Sequence, residues 1–497
     1  MNAEKKVQNM RQVLEMLEKQ LSGKRLIRYM VNTEVIEVSS EQFFTQVRER
    51  ACAFKTRGLA SKHIGIMGSN SCEWLVHFCA VLFAGAVAVL LDRESNPETI
   101  AALAKKTDLD ALLYDVSTEK AVLDAALPSA VQRISMQEPD ECSSLHGEKA
   151  VPFETERKPE DLACILFTSG TTSGSKAVML SERALVASVC SEINDKKFQA
   201  LLAVMPFHHL AGFVTILNAM YLGAEICLAQ DLKYFYRYLE CMKPDYVSVV
   251  PSMLQMLARK LKNGGANGSL LGWNLRIINC GGAAFCPELL QMLLERQITV
   301  LQGYGASEAG GIGLLWEMTP ERPDTIGKPP AELEVKIIND ELFLRSESVM
   351  MGYYGDKEGS EKVLCDGWYA TGDLCRQDED GYLYLIGRRK NLIILSNGEN
   401  VSPEAIEEKL YACKEISEIM VGVEQNLITA TVFPNFAAHS GKEDKEIIQS
   451  RIQEAIARYN AEVPVCKQVQ RIHFLEQPFA KTATGKLIRG SVRKGEV

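Results

Sequence analysis

From about residue 60 to 310 the chain alternates between short apolar runs and helical stretches, and the runs end in turns rich in glycine or serine. No other feature constrains the fold as much. Alternating strand and helix implies mostly parallel sheets with helices on both faces. In such sheets ligands bind outside the carboxyl ends of the strands. DYVSVV (245–250) is a β-branched run, and Pro251 follows it where a first helical turn starts PSMLQMLARKL. LRIINCGGAAF (275–285) reads as a strand entering a glycine turn, PELLQMLLERQ (287–297) as a helix, and ITVLQGYGASEAGG (298–311) as the next strand and loop. A third loop, FTSGTTSGSKAVML (167–180), follows the apolar run Leu162 to Phe167 and crowds hydroxyls, glycines and one lysine together.

The rest of the chain divides around this region. Val7, Met10, Leu14, Leu17 and Leu21 recur at helical spacing, which predicts an amphipathic helix packed on its own domain; two heptads are too few to specify a coiled coil. FCAVLFAGAVAVLL (78–91) is shorter than the ~20 residues of a membrane span, contains Gly85, and reads as a buried helix end followed by a buried strand. Between 330 and 390 the period shortens: ELEVKII, ELFLRS and YLYLIG predict antiparallel strands, with Asp378 to Gly381 as a turn. Ser402, Pro403 and Glu404 then form an N-cap, a first-position proline and an early acidic residue, opening a small α+β unit. The expected boundary separates residues 1–389 from 390–497.

At 497 residues the chain is too long for one ordinary core. A net charge of -9 argues against nucleic acid as the main partner. The fourteen cysteines form no Cys-x-x-Cys pair and sit singly in apolar context, which predicts reduced, buried thiols and a cytoplasmic protein. MNAEKKVQNMRQ at the N-terminus has no signal-peptide apolar region.

The loop at 167–180 suits a polyphosphate, because backbone N–H groups and hydroxyls donate to phosphate oxygens and glycine permits close approach. It lacks the GxxxxGK[ST] spacing of the P-loop. Taken alone it reads equally as a polar surface turn. It is not alone. TSGTTSGSKAVML (168–180) resembles the phosphate loop of the adenylate-forming superfamily, which includes acyl-CoA synthetases, 4-coumarate–CoA ligases and luciferases. MPFHHLAGF (205–213), NCGGAAF (279–285), QGYGASE (302–308), DGWYATGDL (366–374), GRRKNLIILSNGENVSPEAIE (387–407) and KTATGK (481–486) resemble further segments of that family, in its order.

The resemblance implies an α/β fold. A large N-terminal domain of mostly parallel sheets wrapped by helices would carry a small antiparallel barrel-like subdomain, followed by a small mobile C-terminal α+β domain. It implies two half-reactions. A carboxylate attacks the α-phosphate of ATP to give an acyl-AMP and pyrophosphate, and a thiol then displaces AMP. Thr168, Ser169, Gly170, Thr171, Thr172 and Lys176 would hold the leaving phosphates. Glu308 would bind Mg²⁺. Tyr304 would stack on adenine beside Gly282, Ala283 and Ala284, with Gly305 and Ser307 in the same loop. Asp373 would accept both ribose hydroxyls, with Arg388, rather than Arg389, adding a contact. Lys486 would bridge the carboxylate and the α-phosphate, His209 would border the acyl pocket with His208 structural beside it, and Lys390 would be the hinge. The two histidines, taken as neighbours on a strand, would point opposite ways and not share a metal.

Ser173 and Ser175 stand where the family has glycine and proline, and Ala284 and Ala480 replace prolines; none removes a group the chemistry needs. HHLAGF offers no acid for an amino substrate, while Ala211, Gly212, Gly303, Gly305, Ala306, Gly310 and Gly311 suggest small walls suited to a fatty or aryl acid. The expected thiol is coenzyme A. The alternatives are the phosphopantetheine of a carrier protein, or a nucleotide-binding protein without turnover.

Overall fold

The computed structural model describes residues 7–138, 157–168, 175–192, 196–263, 274–281, 287–394, 400–425, 427–436, 445–481 and 487–489. The alternating region builds two large sheets. The first has eight strands, ordered Leu314–Glu317, Thr299–Tyr304, Ile277–Gly281, Tyr246–Val249, Ala200–Ala203, Glu225–Leu228, Arg25–Val31 and Glu34–Ser39. Its six central strands are parallel and each edge strand is antiparallel. The second has seven strands, with Leu162–Phe167, Val87–Leu90, His63–Met67, Ala111–Tyr114 and Gln132–Ser135 parallel. Ala177–Ser181 and Gly352–Tyr353 add to its edge antiparallel.

Helices fill the space where the sheets share a core. Met10–Leu21 is capped by Asn9, and Met10, Val13, Leu14, Leu17 and Leu21 are buried against this body, as a helix packed on its own domain should be. Cys72–Phe83 is apolar around nearly its whole circumference and is correspondingly buried. Gly85, at φ +74°, turns the chain from this helix into the buried strand Val87–Leu90. Trp74 stacks on Phe78 at 5.3 Å and meets Phe207 edge-on at 5.5 Å, while Phe78 lies 4.9 Å from Phe213. This aromatic chain ties the central helix to the segment carrying the two histidines.

The expected antiparallel subdomain is a five-stranded sheet with Trp368–Gln377 at its hub, pairing with Glu341–Arg345, Leu364–Cys365 and Leu383–Arg388. Beyond it, Ile393, Val401, Ile406, Leu410, Ile419 and Ile452 belong to a separate apolar cluster that contains no residue before 393. Its strands Ile416–Glu424, Leu427–Pro434 and Arg471–Phe474 carry the helices Pro403–Leu410 and Lys445–Glu462. Ser402 caps the first of these helices by accepting from the Ala405 N–H. Among the described residues no helix is long and apolar enough to cross a membrane. The described cysteines form no disulfide; Cys72, Cys79, Cys164, Cys227, Cys280 and Cys375 are buried, but Cys241 and Cys365 are exposed, against the expectation of uniformly buried thiols.

Candidate active site

The strands on either side of the hydroxyl-rich loop pair antiparallel. Phe167 pairs with Ala177 across the antiparallel strands that lead in and out. At the base the Thr168 N–H donates to the Lys176 carbonyl (3.1 Å) and the Lys176 N–H reaches Thr168 Oγ1 (3.4 Å). Ser175, the residue in place of a proline, donates its hydroxyl to the Thr168 carbonyl at 2.8 Å, while its own carbonyl accepts from Lys106 Nζ at 2.7 Å. The departure therefore supplies a closing hydrogen bond. Ser169, Gly170, Thr171 and Thr172 lie outside the described residues, as do Gly282, Ala283, Ala284 and Lys486.

Two polar clusters stand beside this hairpin. In one, Glu308 sits on a single 3₁₀ turn, Ser307–Ala309, after the strand Thr299–Tyr304. Its Oε1 accepts the Tyr353 hydroxyl at 3.0 Å, and Lys176 Nζ lies 4.1 Å from the centre of the same Tyr353 ring. In the other, Asp373 is buried and holds two donors: Tyr304 Oη at 2.7 Å on Oδ2 and Arg388 Nε at 2.8 Å on Oδ1. Burial first, then the Asp373 charge, raises the Tyr304 phenol well above its ordinary pKa, so it stays a donor. Arg389 faces elsewhere, pairing with Glu341 Oε2 at 2.6 Å, so Arg388 is the arginine at Asp373. Each carboxylate oxygen has a second lone pair, and Asp373 therefore retains capacity for a diol. Gly305, beside Tyr304, leaves open space where a Cβ would stand. Lys390 is exposed, in the 3₁₀ turn Arg389–Asn391.

Glu308 is a single hard carboxylate, and the described residues contain no group of three or more His, Cys, Asp or Glu able to cage a metal. One carboxylate with the oxygens of a polyphosphate fits Mg²⁺, which keeps water and substrate ligands and seldom uses an all-protein site.

The histidines differ from the strand expectation. Pro206–His209 is a turn leading into the helix Leu210–Tyr221, and the two imidazole rings lie side by side, 4.3 Å apart. A turn lacks the alternation that would have sent them to opposite faces. Asn70 grips this turn from both ends, donating to the Met205 carbonyl (2.9 Å) and accepting from the Phe207 N–H (3.0 Å). His208 is buried with Nε2 3.6 Å from Asp92; burial and then His209 lower its pKa to about 4, so it is neutral at pH 7. His209 is half-buried at the start of the helix.

The small-walled pocket also needs correction. A Cβ on Gly212 would lie 2.1 Å from the Pro206 carbonyl oxygen, on Gly310 2.1 Å from that of Ser348, and on Gly311 2.5 Å from Ser188 Cβ. These glycines admit neighbouring protein atoms, so they are packing positions. Gly303 is less crowded, its nearest neighbour being Asn279 Oδ1 at 3.3 Å. A void of about 10 Å³, enough for one water-sized group, lies among Leu201, Val204, Met205, Gly212, Thr215 and Ser248.

Tyr353 was missed by the sequence reading. Its signal is tertiary: only the pairing of Gly352–Tyr353 with Ala177–Ser181 brings it beside Lys176.

A doubly wound body with facing acidic and phenolic groups beside a polar hairpin suits an enzyme that activates acids with a nucleotide. The chain belongs to the AMP-binding enzyme family: that family matches residues 17–354, and the AMP-binding enzyme C-terminal domain matches 390–495. It is similar to the 2-succinylbenzoate–CoA ligase of Bacillus mycoides, 28% identical over 483 residues, covering 92% of this chain and 95% of that protein. It is also similar to the long-chain-fatty-acid–CoA ligase FadD15 of Mycobacterium bovis, 25% identical over 78% of this chain and 75% of the relative. The solved O-succinylbenzoate coenzyme A synthetase (MenE) from Bacillus subtilis, in complex with ATP and magnesium ion, shares the fold: TM-score 0.77, 22% identity, with 97% and 98% of the two chains covered.

Proposed function

We propose that this chain is a Mg-ATP-dependent acid–thiol ligase, which turns a carboxylic acid into its acyl-adenylate and then into a coenzyme A thioester. The observation that carries the reading is the placing of Lys176 and Glu308 on one tyrosine, together with buried Asp373 held by Tyr304 and Arg388. The first half-reaction brings two anions together and needs donors and positive charge set in advance. Lys176 with Thr168, Ser169, Gly170, Thr171 and Thr172 serves the leaving pyrophosphate. Glu308 would hold Mg²⁺, which would neutralise the phosphate charge. Tyr304, Gly305, Ser307 and the backbone of 282–284 serve adenine, and Asp373 with Arg388 the ribose. Lys486 meets the carboxylate and α-phosphate, His209 borders the acyl group, and Lys390 is the hinge between 1–389 and 390–497.

An aryl acid is favoured over a long fatty acid. The 2-succinylbenzoate–CoA ligase above is similar over more of the chain than the fatty-acid ligase. Coenzyme A is the thiol that both names carry. The absence of disulfides among the described cysteines fits a reducing compartment such as the cytoplasm.

The test is pyrophosphate exchange into ATP with Mg²⁺ across aryl, fatty, dicarboxylic and amino acids, beside Lys486→Ala. Exchange that needs one acid class and Lys486 supports the reading and names the class. A protein that binds ATP yet exchanges with no acid refutes it.

A further inference from the structure

We propose that Tyr353 is a positioning residue that sets both the metal-binding carboxylate of Glu308 and the ammonium of Lys176 for the incoming nucleotide. The proposal rests on the reading of those two residues given above.

Tyr353 is 4% exposed, though it stands on a strand of two residues. Three backbone features hold it there. Gly352 and Tyr353 face Met179 and Val178, the Tyr354 N–H donates to the Ala177 carbonyl at 2.8 Å, and the Met351 N–H donates to that of Met179 at 2.8 Å. Its own N–H donates to Ser360 Oγ at 2.8 Å. Gly352, at φ +138°, adopts a backbone that side-chain-bearing residues rarely enter, and a Cβ there would stand 2.9 Å from Ser360 Oγ. The ring is thus fixed before any ligand arrives.

Its two ends do different work. The hydroxyl donates to Glu308 Oε1, fixing that oxygen and the plane of the carboxylate, so the other oxygen faces a cation in a set direction. The Met350 N–H, on the same segment, donates to the Glu308 carbonyl at 2.9 Å, holding the backbone beneath. The ring face holds the Lys176 ammonium by a cation–π contact. A lysine at a loop base would otherwise spread over many rotamers, at a cost in entropy when it is ordered.

Calorimetric titration of the full chain with ATP, in Mg²⁺ and in EDTA, separates the two ends. The protein is expected to bind ATP more tightly with Mg²⁺. Tyr353→Phe is expected to lose about tenfold of that Mg²⁺-dependent gain while keeping its affinity in EDTA. Tyr353→Leu is expected to lose the same gain and, without a ring, to weaken binding in EDTA by about threefold. Glu308→Gln combined with Tyr353→Phe should lose no more than Glu308→Gln alone. A Tyr353→Phe protein that keeps the full gain overturns the proposal. So does equal weakening of Phe and Leu variants in both buffers, the mark of simple packing damage. If the unsubstituted protein gains nothing from Mg²⁺, the metal reading of Glu308 fails and takes the proposal with it; a gain that Tyr353→Phe leaves intact sinks the proposal alone.

Discussion

Asp373 and Arg388 face each other across the antiparallel strands, and Arg388 Nε closes on Asp373 Oδ1 at 2.8 Å. The pair is lopsided: the carboxylate is 7% exposed and the guanidinium 48%. Tyr304, from the parallel sheet, donates to the other carboxylate oxygen at 2.7 Å. The buried acid is therefore the fixed member, and the arginine is an exposed partner of small energetic weight.

Asp373→Asn turns one acceptor into a donor opposite Tyr304 or Arg388. It also removes the charged acceptor proposed for the ribose. The expected outcome is a rise of about tenfold or more in the ATP concentration needed for half-maximal exchange. Arg388→Ala should raise it by less, about threefold. The check is ATP dependence of pyrophosphate exchange; equal effects at the two positions would remove Asp373 from its proposed role.

Gly310→Ala tests how Glu308 is held. Gly310 has φ +70°, and its missing Cβ is replaced by the Ser348 carbonyl, 2.1 Å from where that atom would be. The Ser348 hydroxyl donates to the Ala309 carbonyl at 2.6 Å, stitching the two segments together. An alanine meets both strain and backbone, and should destabilise the protein by about 2–4 kcal/mol. Gly305→Ala, with nothing within 4 Å of its Cβ, should cost under about 1 kcal/mol. Denaturant unfolding of the two variants gives the comparison.

Local chemistry made much of this legible. The glycine and serine turns marked the strand ends, and Ser402–Pro403–Glu404 marked a helix start because caps use neighbouring residues. The pairing of Asp373 with Arg388 joins two short runs that each stood out in the sequence, DGWYATGDL and GRRKN. What was hidden depends on distance in sequence. Tyr353 touches residues 45 and 177 positions away, and no periodicity in a two-residue strand announces it. Gly212, Gly310 and Gly311 were expected to be pocket walls because a glycine that admits a ligand and one that admits a carbonyl oxygen look identical in sequence. The two histidines were placed on a strand although Pro206 marks a turn; what the sequence does not show is that Asn70, more than a hundred residues away, holds that turn at both ends.

Two buried histidines predict acid sensitivity. Burial lowers His77 to about 4, with Arg50 pushing the same way and the hydrogen bond to the Glu73 carbonyl opposing; His208 falls to about 4 by burial and His209. Both titrate near 6.5 when unfolded. Between about 6.5 and 4 the unfolded chain holds more protons, so stability is full above that window and falls as the pH is lowered through it. Glu182 and Glu407, raised by burial, act the other way: their contribution is full below the unfolded carboxylate value and is lost as pH rises through the raised one. His77→Gln keeps a donor for the Glu73 carbonyl and removes one titration. Its thermal midpoint should fall less between about pH 7.5 and about pH 5 than that of the unsubstituted protein. Parallel profiles would show that His77 does not contribute.

The last prediction concerns the flanks of the C-terminal lysine motif. Lys481 and Leu487 form a β-bridge, and the Ile488 N–H donates to the Ala480 carbonyl at 3.0 Å. One side is held by buried Glu418, which takes the Lys481 ammonium at 2.5 Å and the Phe479 N–H at 2.7 Å. The other is held by Arg489, which pairs with Glu407, approaches Glu404 at 3.3 Å and donates to the Val421 carbonyl at 3.2 Å. Arg489→Ala leaves buried Glu407 with the Val421 N–H as its donor among the described residues, a loss of about 2–3 kcal/mol for a pair that is not fully buried. Arg489→Lys restores charge but, as a point donor, cannot span Glu407, Glu404 and a carbonyl together. If these flanks position Lys486, exchange should fall in the order arginine, lysine, alanine, with Lys486→Ala as the floor. ATP binding should hold nearly constant, because Lys176, Tyr304 and Asp373 belong to the other body. Exchange that survives Arg489→Ala undiminished would mean that the motif is positioned by its substrates and not by its anchors.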